Sequence, residues 1–544
     1  MTMNTLMSFV CLVSIGAALA SNTAAEITAA AALPGEPHAL SAAGVTRTDE
    51  PLLTIENPAP FDTSAKRRFV IIGGIGGDVE SANAVVAAVR WFKTRAPASV
   101  RRDWSLAALP LADPNGRARS ASFRFPPDKG FFDDPQQPES RYVWRWAMYQ
   151  TPDVVVLVAP EAEMPPVEES VAALSSAIAA AGAPVELRRP STLLPALPRV
   201  LTTHTNRSRL HDDIAQRVAR DPLAVARVLA RRYPAAPAIS YIPSVAWINT
   251  RRLASLIGDD SLRARVREQI APWIAGEKTL FGERIQLTAV AGTMIFADLA
   301  QADDDAAARR LALDGATLAS AMRSDGVAQH GQGWTDDMFM TAAILARTGL
   351  MPGRERDLET AARLLADYAM RLQRPDGIFI HATDGPVAWG RGNGFAALGL
   401  MEALTALPAQ HPMRPRVLEI YRRHMRAVKT MQAPDGMWRQ IIDEPGSYRE
   451  ETATAMLLSS MMRGVRLGWI DTTYAPSAER AWRALAAHIG DDGTLVDVCT
   501  GTGAGPTTRY YLDRPALSGA DDRGGAMALL ASMEMAERRA RSTR

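Results

Sequence analysis

Apolar and polar residues follow two different rhythms along this chain. From 61 to about 200, short continuous apolar runs alternate with longer amphipathic stretches. Residues 68–72 end in Gly73-Gly74 and read as a buried strand, and 82–92 follows as a helix. Val154–Val158 reads as a second buried strand and 167–181 as a second helix. Strand–helix alternation of this kind predicts a parallel or mixed sheet. From about 206 onward the rhythm changes. Stretches such as 306–322, 357–372, 417–431 and 475–488 carry apolar residues at three- and four-residue spacing, and strand-like runs almost vanish. Residues 21–60 are rich in Ala, Pro, Thr and Glu without a period, and read as a mostly disordered linker.

The helical part repeats. Asp-Gly pairs close four helices, at Asp325-Gly326, Asp376-Gly377, Asp435-Gly436 and Asp492-Gly493. They stand roughly 50–60 residues apart, which leaves room for two helices each and marks stacked or ringed helical hairpins. Such a pair supplies a residue able to take positive φ and stop a helix. The stretch 206–544 has room for about six hairpins, which predicts a closed helical toroid with loops gathered at one end. The expected organisation is a signal over 1–20, a linker over 21–60, a smaller α/β domain over 61–205 and a helical domain over 206–544.

Composition narrows the function. Of 544 residues, 61 are basic and 59 acidic, for a net charge of +2. That balance gives no reason to expect nucleic acid or an anionic membrane as partner, so an anionic ligand must be held by a local constellation. Residues 6–19 are mostly apolar and uncharged, and Ala18-Leu19-Ala20 has the form of a cleavage site, so 1–20 reads as an export signal to the periplasm. A disordered N-terminus is the other reading. The stretch is too short for a comfortable membrane span, and no later segment reaches about 18 apolar residues. Cys11 would leave with the signal, so Cys499 would remain alone, with no intramolecular disulfide and no cysteine zinc site. No cofactor or metal is expected.

Candidate chemistry follows the Asp-Gly turns. The first segment is His330-Gly331-Gln332-Gly333-Trp334-Thr335-Asp336-Asp337, which runs from loop into helix. Its two acids could simply favour a helix N-terminus. A carboxyl against an indole in a cleft could instead act as a general acid near neutral pH. The second holds His381 and then Trp389-Gly390-Arg391-Gly392-Asn393-Gly394-Phe395. Here glycines allow close backbone approach, an indole suits a sugar face, and a guanidinium can pair with a carboxylate. A tight turn with a surface Arg is the bland alternative. The third joins Trp438 to Glu451, an acid opening a helix. The fourth, 501–505, is Gly-rich but lacks the phosphate-loop pattern, and leads to Tyr510-Tyr511-Leu512-Asp513-Arg514-Pro515.

Together these segments resemble the unsaturated glucuronyl and rhamnogalacturonyl hydrolases, glycoside hydrolase families 88 and 105, the latter more closely. The resemblance rests on W-T-D-D-M-F-M at 334–340, W-G-R-G-N-G-F at 389–395, D-G-M-W-R-Q-I-I-D at 435–443, E-T-A-T-A-M at 451–456, and the late G-T-G with Y-Y-L-D-R-P. It implies an (α/α)6 barrel acting on oligosaccharides that end in a 4,5-unsaturated uronic acid. In that chemistry an Asp protonates C4 of the vinyl ether and helps water add at C5, and the resulting hemiketal opens. By motif position the proton donor is Asp336. His330, Trp334, His381, Trp389, Arg391, Asn393, Phe395, Trp438 and Glu451 are the expected substrate contacts, with Arg391 the candidate for the sugar carboxylate. Phe395 stands where the family usually has Trp. The family's other acid, on an earlier helix, has no Asp counterpart in 281–288, where Glu283 or Gln286 could take the place.

The α/β part resembles, faintly, a zinc carboxypeptidase-like domain, but Gly76 and Val79 replace the metal-binding His and Glu. Other uronate-directed glycosidases, lyases on the same barrel, and a non-catalytic glycan-binding protein remain open readings.

Overall fold

A computed structural model describes residues 22–62, 66–126 and 138–542. The expected export signal, with Cys11, lies outside the described residues. The chain forms two compact units. One runs to Val218 and also takes in Ala433–Asp435 and Glu444–Tyr448; the other comprises Ala219–Gln432, Gly436–Asp443 and Arg449–Arg544.

The first unit is built on a six-stranded mixed sheet. Its strands are β1 (Ala39–Val45), β2 (Pro51–Glu56), β3 (Arg67–Ile72), β4 (Trp104–Leu109), β5 (Val154–Val158) and β6 (Val185–Arg188), in the order β1-β2-β4-β3-β5-β6. The β4-β3-β5-β6 block is parallel, and β1 and β2 add antiparallel strands at one edge. β5 is buried throughout, which explains its unbroken valine run. Residues 21–60 are therefore not a linker. They carry a helix and two paired strands. The alanines and glycine of Ala39–Val45 disfavour strand formation on their own, so tertiary packing decides: a Cβ at Gly44 would stand 2.0 Å from the Tyr142 ring.

The boundary also lies later than 205. Buried Asp153 accepts hydrogen bonds from the backbone N–H groups of Arg68 (2.8 Å) and Ser208 (2.8 Å) and sits 2.9 Å from His211 Nδ1. This carboxylate fastens the 206–218 stretch to the sheet.

The second unit is almost wholly helical. Besides a short helix over Thr508–Leu512, its helices are α1 (Pro222–Arg232), α2 (Tyr241–Ile257), α3 (Asp260–Ile274), α4 (Leu287–Gly292), α5 (Met294–Ala302), α6 (Ala306–Ala319), α7 (Thr335–Thr348), α8 (Glu355–Leu372), α9 (Gly390–Ala406), α10 (Arg414–Thr430), α11 (Glu451–Arg466), α12 (Ala475–Ala487) and α13 (Asp522–Ser542). A hairpin of β7 (Leu495–Cys499) and β8 (Ala516–Gly519) precedes α13. Helices α2, α4 with α5, α7, α9, α11 and α13 pack each against the next, and α13 packs on α2, so the circuit closes. The remaining helices pack outside it. Burial follows: nearly all of α9 is buried, while α8 and α10 each keep an exposed polar face. Gly399 lets α9 approach α7, since a Cβ there would lie 2.3 Å from the Met338 carbonyl oxygen.

The four Asp-Gly turns all precede helices of the inner circuit. Gly326, Gly377, Gly436 and Gly493 all have positive φ, between 76° and 99°. Asp325, Asp376 and Asp492 each accept a hydrogen bond from the backbone N–H two residues on. The repeat therefore turns the chain from outer to inner helix and brings the N-termini of α7, α9, α11 and α13 to one end.

Candidate active site

Asp336 occupies the first turn of α7, and its side chain remains 16% exposed. Its Oδ2 lies 3.1 Å from Nε2 of His381, a buried residue in the loop before α9. His381 Nδ1 lies 2.8 Å from the hydroxyl of Tyr511. Two indoles enclose the imidazole. Trp334 meets it edge-on at 5.2 Å between ring centroids, and Trp389 lies at 4.5 Å. The Thr335 N–H donates to the His381 carbonyl, joining the two loops.

The neighbouring acid has a different task. Asp337 is buried, and its Oδ2 accepts from the N–H groups of Gln332 (3.0 Å) and Gly333 (2.7 Å) and from the Tyr368 hydroxyl (2.8 Å). It pins the loop that carries Trp334. Burial pushes its carboxyl up to about 6 despite these donors. Of the Asp-Asp pair, then, Asp337 fits the local-structure reading and Asp336 is left facing the histidine.

Residues 233–539, more than half the chain, match the model of Glycosyl Hydrolase Family 88. The chain belongs to Glycosyl Hydrolase Family 88. It is 28% identical over 192 residues to an unsaturated rhamnogalacturonyl hydrolase of Bacillus subtilis (strain 168), covering 34% of this chain and 54% of that one. It is 27% identical over 175 residues to an unsaturated 3S-rhamnoglycuronyl hydrolase of Alteromonas sp. (strain LOR), covering 30% and 42%. The chain thus spans about half the length of these curated relatives. A crystal structure of a possible member of the GH105 family from Salmonella enterica serovar Paratyphi A shares the fold, with a TM-score of 0.52 at 21% identity over 60% of this chain and 94% of that one.

Within this family-88 chain the other expected contacts divide. Trp334 and Trp389 gather around His381, which meets Asp336. Arg391 does not offer a free fork: one terminal nitrogen donates to the Cys499 carbonyl (2.6 Å) and the other to that of Thr500 (2.7 Å), with the guanidinium 4.5 Å from the Trp389 ring. It anchors a loop instead. Asn393 is buried and spends its amide on the backbone of Phe379 and Trp389, because a helix opening on Gly-Arg-Gly needs its preceding loop tied down. Phe395 is 1% exposed and packs against Tyr241, Phe339 and Trp389, so it offers no sugar-stacking face. Trp438 is fully buried, with its indole N–H on the Val428 carbonyl. His330 is half-buried, and none of the hydrogen bonds around Asp336 runs through it.

Glu451 is the unusual case. It is fully buried, neither carboxyl oxygen has a hydrogen-bond partner, and burial together with Glu450 and Asp521 raises its pKa well above the usual carboxyl range. Glu283 and Gln286 stand exposed, and no hydrogen bond joins either to Asp336. Among the described residues no group of three His, Cys, Asp or Glu is placed to hold a metal ion. Sequence reasoning missed Tyr511 and the buried role of Asp337. Tyr511 lay within a recognised motif, but only three-dimensional folding brings it to His381, 130 positions away.

Proposed function

We propose that this family-88 chain hydrolyses oligosaccharides ending in a 4,5-unsaturated uronic acid, on an (α/α)6 barrel, with Asp336 as the proton donor. One observation carries the reading: a partly exposed Asp336 held by a buried histidine between two indoles, within the segment that matches the family. The names of the related hydrolases support the substrate class. In this reaction the Asp336 carboxyl gives its proton to C4. Water adds at C5 and returns a proton to the carboxylate. The hemiketal formed at C5 then opens and releases the rest of the oligosaccharide. The partly exposed Trp334 would hold the sugar, buried Trp389 would back the imidazole and exclude bulk water, and His381 would orient the carboxyl.

The test follows the ultraviolet absorbance of the conjugated enoate on lyase-generated oligosaccharides. Wild type should consume it, and Asp336→Asn should lose about 10²–10⁴-fold in rate. Unchanged turnover in that variant would sink the assignment. A second reading, glycan binding without turnover, draws on the exposed positions of Glu283 and Gln286, which leave the family's second acid unreplaced at that place. Wild type that binds these oligosaccharides yet leaves their absorbance intact would favour it.

A further inference from the structure

Four groups form a line at the inner-helix N-termini. The Gly505 N–H donates to the Tyr511 hydroxyl oxygen at 3.1 Å, Tyr511 Oη lies 2.8 Å from His381 Nδ1, and His381 Nε2 lies 3.1 Å from Asp336 Oδ2. Tyr511 and His381 are both fully buried. We infer that Tyr511 is a positioning residue that fixes the tautomer of His381, so that the imidazole presents Nε2–H to the Asp336 carboxylate.

The directions of the hydrogen bonds carry the argument. A backbone N–H can only donate, so the Tyr511 oxygen accepts from Gly505. Burial pushes the phenol up to about 12, so it keeps its proton. That proton is the group in reach of Nδ1. A neutral imidazole that accepts at Nδ1 carries its own hydrogen on Nε2, and this one points at Asp336. Every donor in the line then has an acceptor, and the line ends on a carboxylate. The reverse order would load the Tyr511 oxygen with two incoming N–H groups and take from its hydroxyl the acceptor that Nδ1 provides. An Nε2–H aimed at Asp336 Oδ2 holds the carboxyl in the position from which it exchanges a proton with substrate and water. This last step rests on the reaction proposed above; the tautomer itself does not.

The loop at 501–505 is part of the device. Arg391 and Arg514 hold its start, through the Cys499, Thr500 and Gly501 carbonyls. A Cβ at Gly385 would lie 3.0 Å from the Ala504 Cβ and 3.1 Å from the Tyr511 hydroxyl, so the loop, the turn before α9 and the phenol meet at one point. The ionisable groups acting here among the described residues include Asp337 on the helix of Asp336, Arg391 on α9, Tyr241 on α2 with Arg523 on α13, Tyr510 and Asp384 beside Tyr511, and Arg514 by the Tyr510 ring. Tyr511→Phe leaves all of them in place and removes one hydroxyl.

The test uses ¹⁵N-histidine NMR of the full chain, with the His381 signals assigned by loss in a His381→Gln variant. At neutral pH the wild type should show a protonated Nε2 and a bare Nδ1. Tyr511→Phe should populate the Nδ1–H form. A wild-type Nδ1–H tautomer, or an unchanged tautomer in Tyr511→Phe, overturns the inference whatever the substrate proves to be. The second readout is the split between kcat and KM. In Tyr511→Phe kcat should fall roughly 3- to 10-fold with KM little changed, because the hydroxyl acts through His381 on the proton donor and not on the bound sugar. A loss confined to KM refutes the link to Asp336. Absence of turnover in wild type would remove the proposed reaction and leave the NMR result to decide the tautomer.

Discussion

The two ends of the inner helices treat charged groups in opposite ways. Where α2, α9, α11 and α13 finish, arginines and carboxylates are paired one to another. Glu534 on α13 is fully buried and takes Arg463 at 3.0 Å, Arg252 at 2.9 Å and Arg466 at 2.8 Å. Glu402 takes Arg347 at 2.8 Å, and Glu537 takes Arg252 at 2.6 Å. The four arginines, with Glu402 and Glu537, line a cavity of about 330 Å³. Where the same helices begin, Glu451 has no partner for either oxygen, and Thr335 Oγ1, Trp389 Nε1 and Gln440 Oε1 are also unpaired. Buried polar groups are ordinarily satisfied. Arg347 Nε and Arg466 Nε are unpaired at the other end too, but each carboxylate there meets an arginine, whereas here a whole buried carboxyl group goes without a partner. The paired collar at the other end holds the helices together.

Substitutions should therefore have opposite signatures at the two ends. The largest effect falls on turnover. Asp336→Asn should lower the enoate-consuming rate about 10²–10⁴-fold, with little change in thermal unfolding because this side chain makes one hydrogen bond. A variant that melts far below wild type would show that Asp336 belongs to the scaffold after all.

Glu534→Gln should do the reverse. It leaves three arginines around an uncharged amide, and breaking a buried ion pair costs about 3–5 kcal/mol. Denaturant unfolding should show that loss, while the rate per folded molecule stays within a few-fold of wild type. Equal stability would mean that the remaining carboxylates carry the collar without it.

pH separates the ends further, because their shifts have opposite sign. Burial alone would raise Glu534, but Arg463 and Arg252 hold it far below the usual carboxyl range. Its contribution is present above the unfolded value, near 4.3, and is lost as pH falls through the acid range. Asp337 is raised to about 6, so the native state keeps a proton there that the unfolded chain releases near 4. Stability from this group is full below about 4 and falls as pH rises to about 6, by roughly 1.4 kcal/mol for each unit separating the two pKa values. Asp337→Asn should thus gain on wild type between pH 4 and 6 and run parallel above. Melting curves of the two variants against pH test both signs, and an Asp337→Asn variant that loses ground on wild type as pH rises from 4 to 6 would contradict the assignment.

Much of this was legible in the chain. The recurring Asp-Gly pairs located the outer-to-inner turns, and the aromatic and acidic residues beyond them led to Asp336, Trp334, His381 and Trp389. The edge strands β1 and β2 were not legible, because Ala and Gly there pair only when Tyr142 and the sheet are in place. Polar residues in the same motifs were also ambiguous. Arg391, Asn393 and Trp438 have the chemistry of sugar contacts, yet each spends it on a nearby backbone carbonyl. Sequence reports which groups a residue carries; only packing decides whether a backbone carbonyl claims them first.

The smallest effect expected lies on the border between the two behaviours. Tyr368 on α8 donates to Asp337, which in turn holds the loop of Trp334. Tyr368→Phe removes one of three donors to Asp337 and the acceptor of the Ala328 N–H, and leaves the ring in its buried place, a loss of about 2 kcal/mol for two hydrogen bonds. Because the phenol lowers the carboxyl's pKa, its removal should raise Asp337 further and extend toward higher pH the window in which stability declines. The rate should fall only slightly, through a less firmly seated Trp334, and mainly in KM. A change in kcat larger than in KM would place Tyr368 with the reacting groups and move the border between scaffold and site outward to α8.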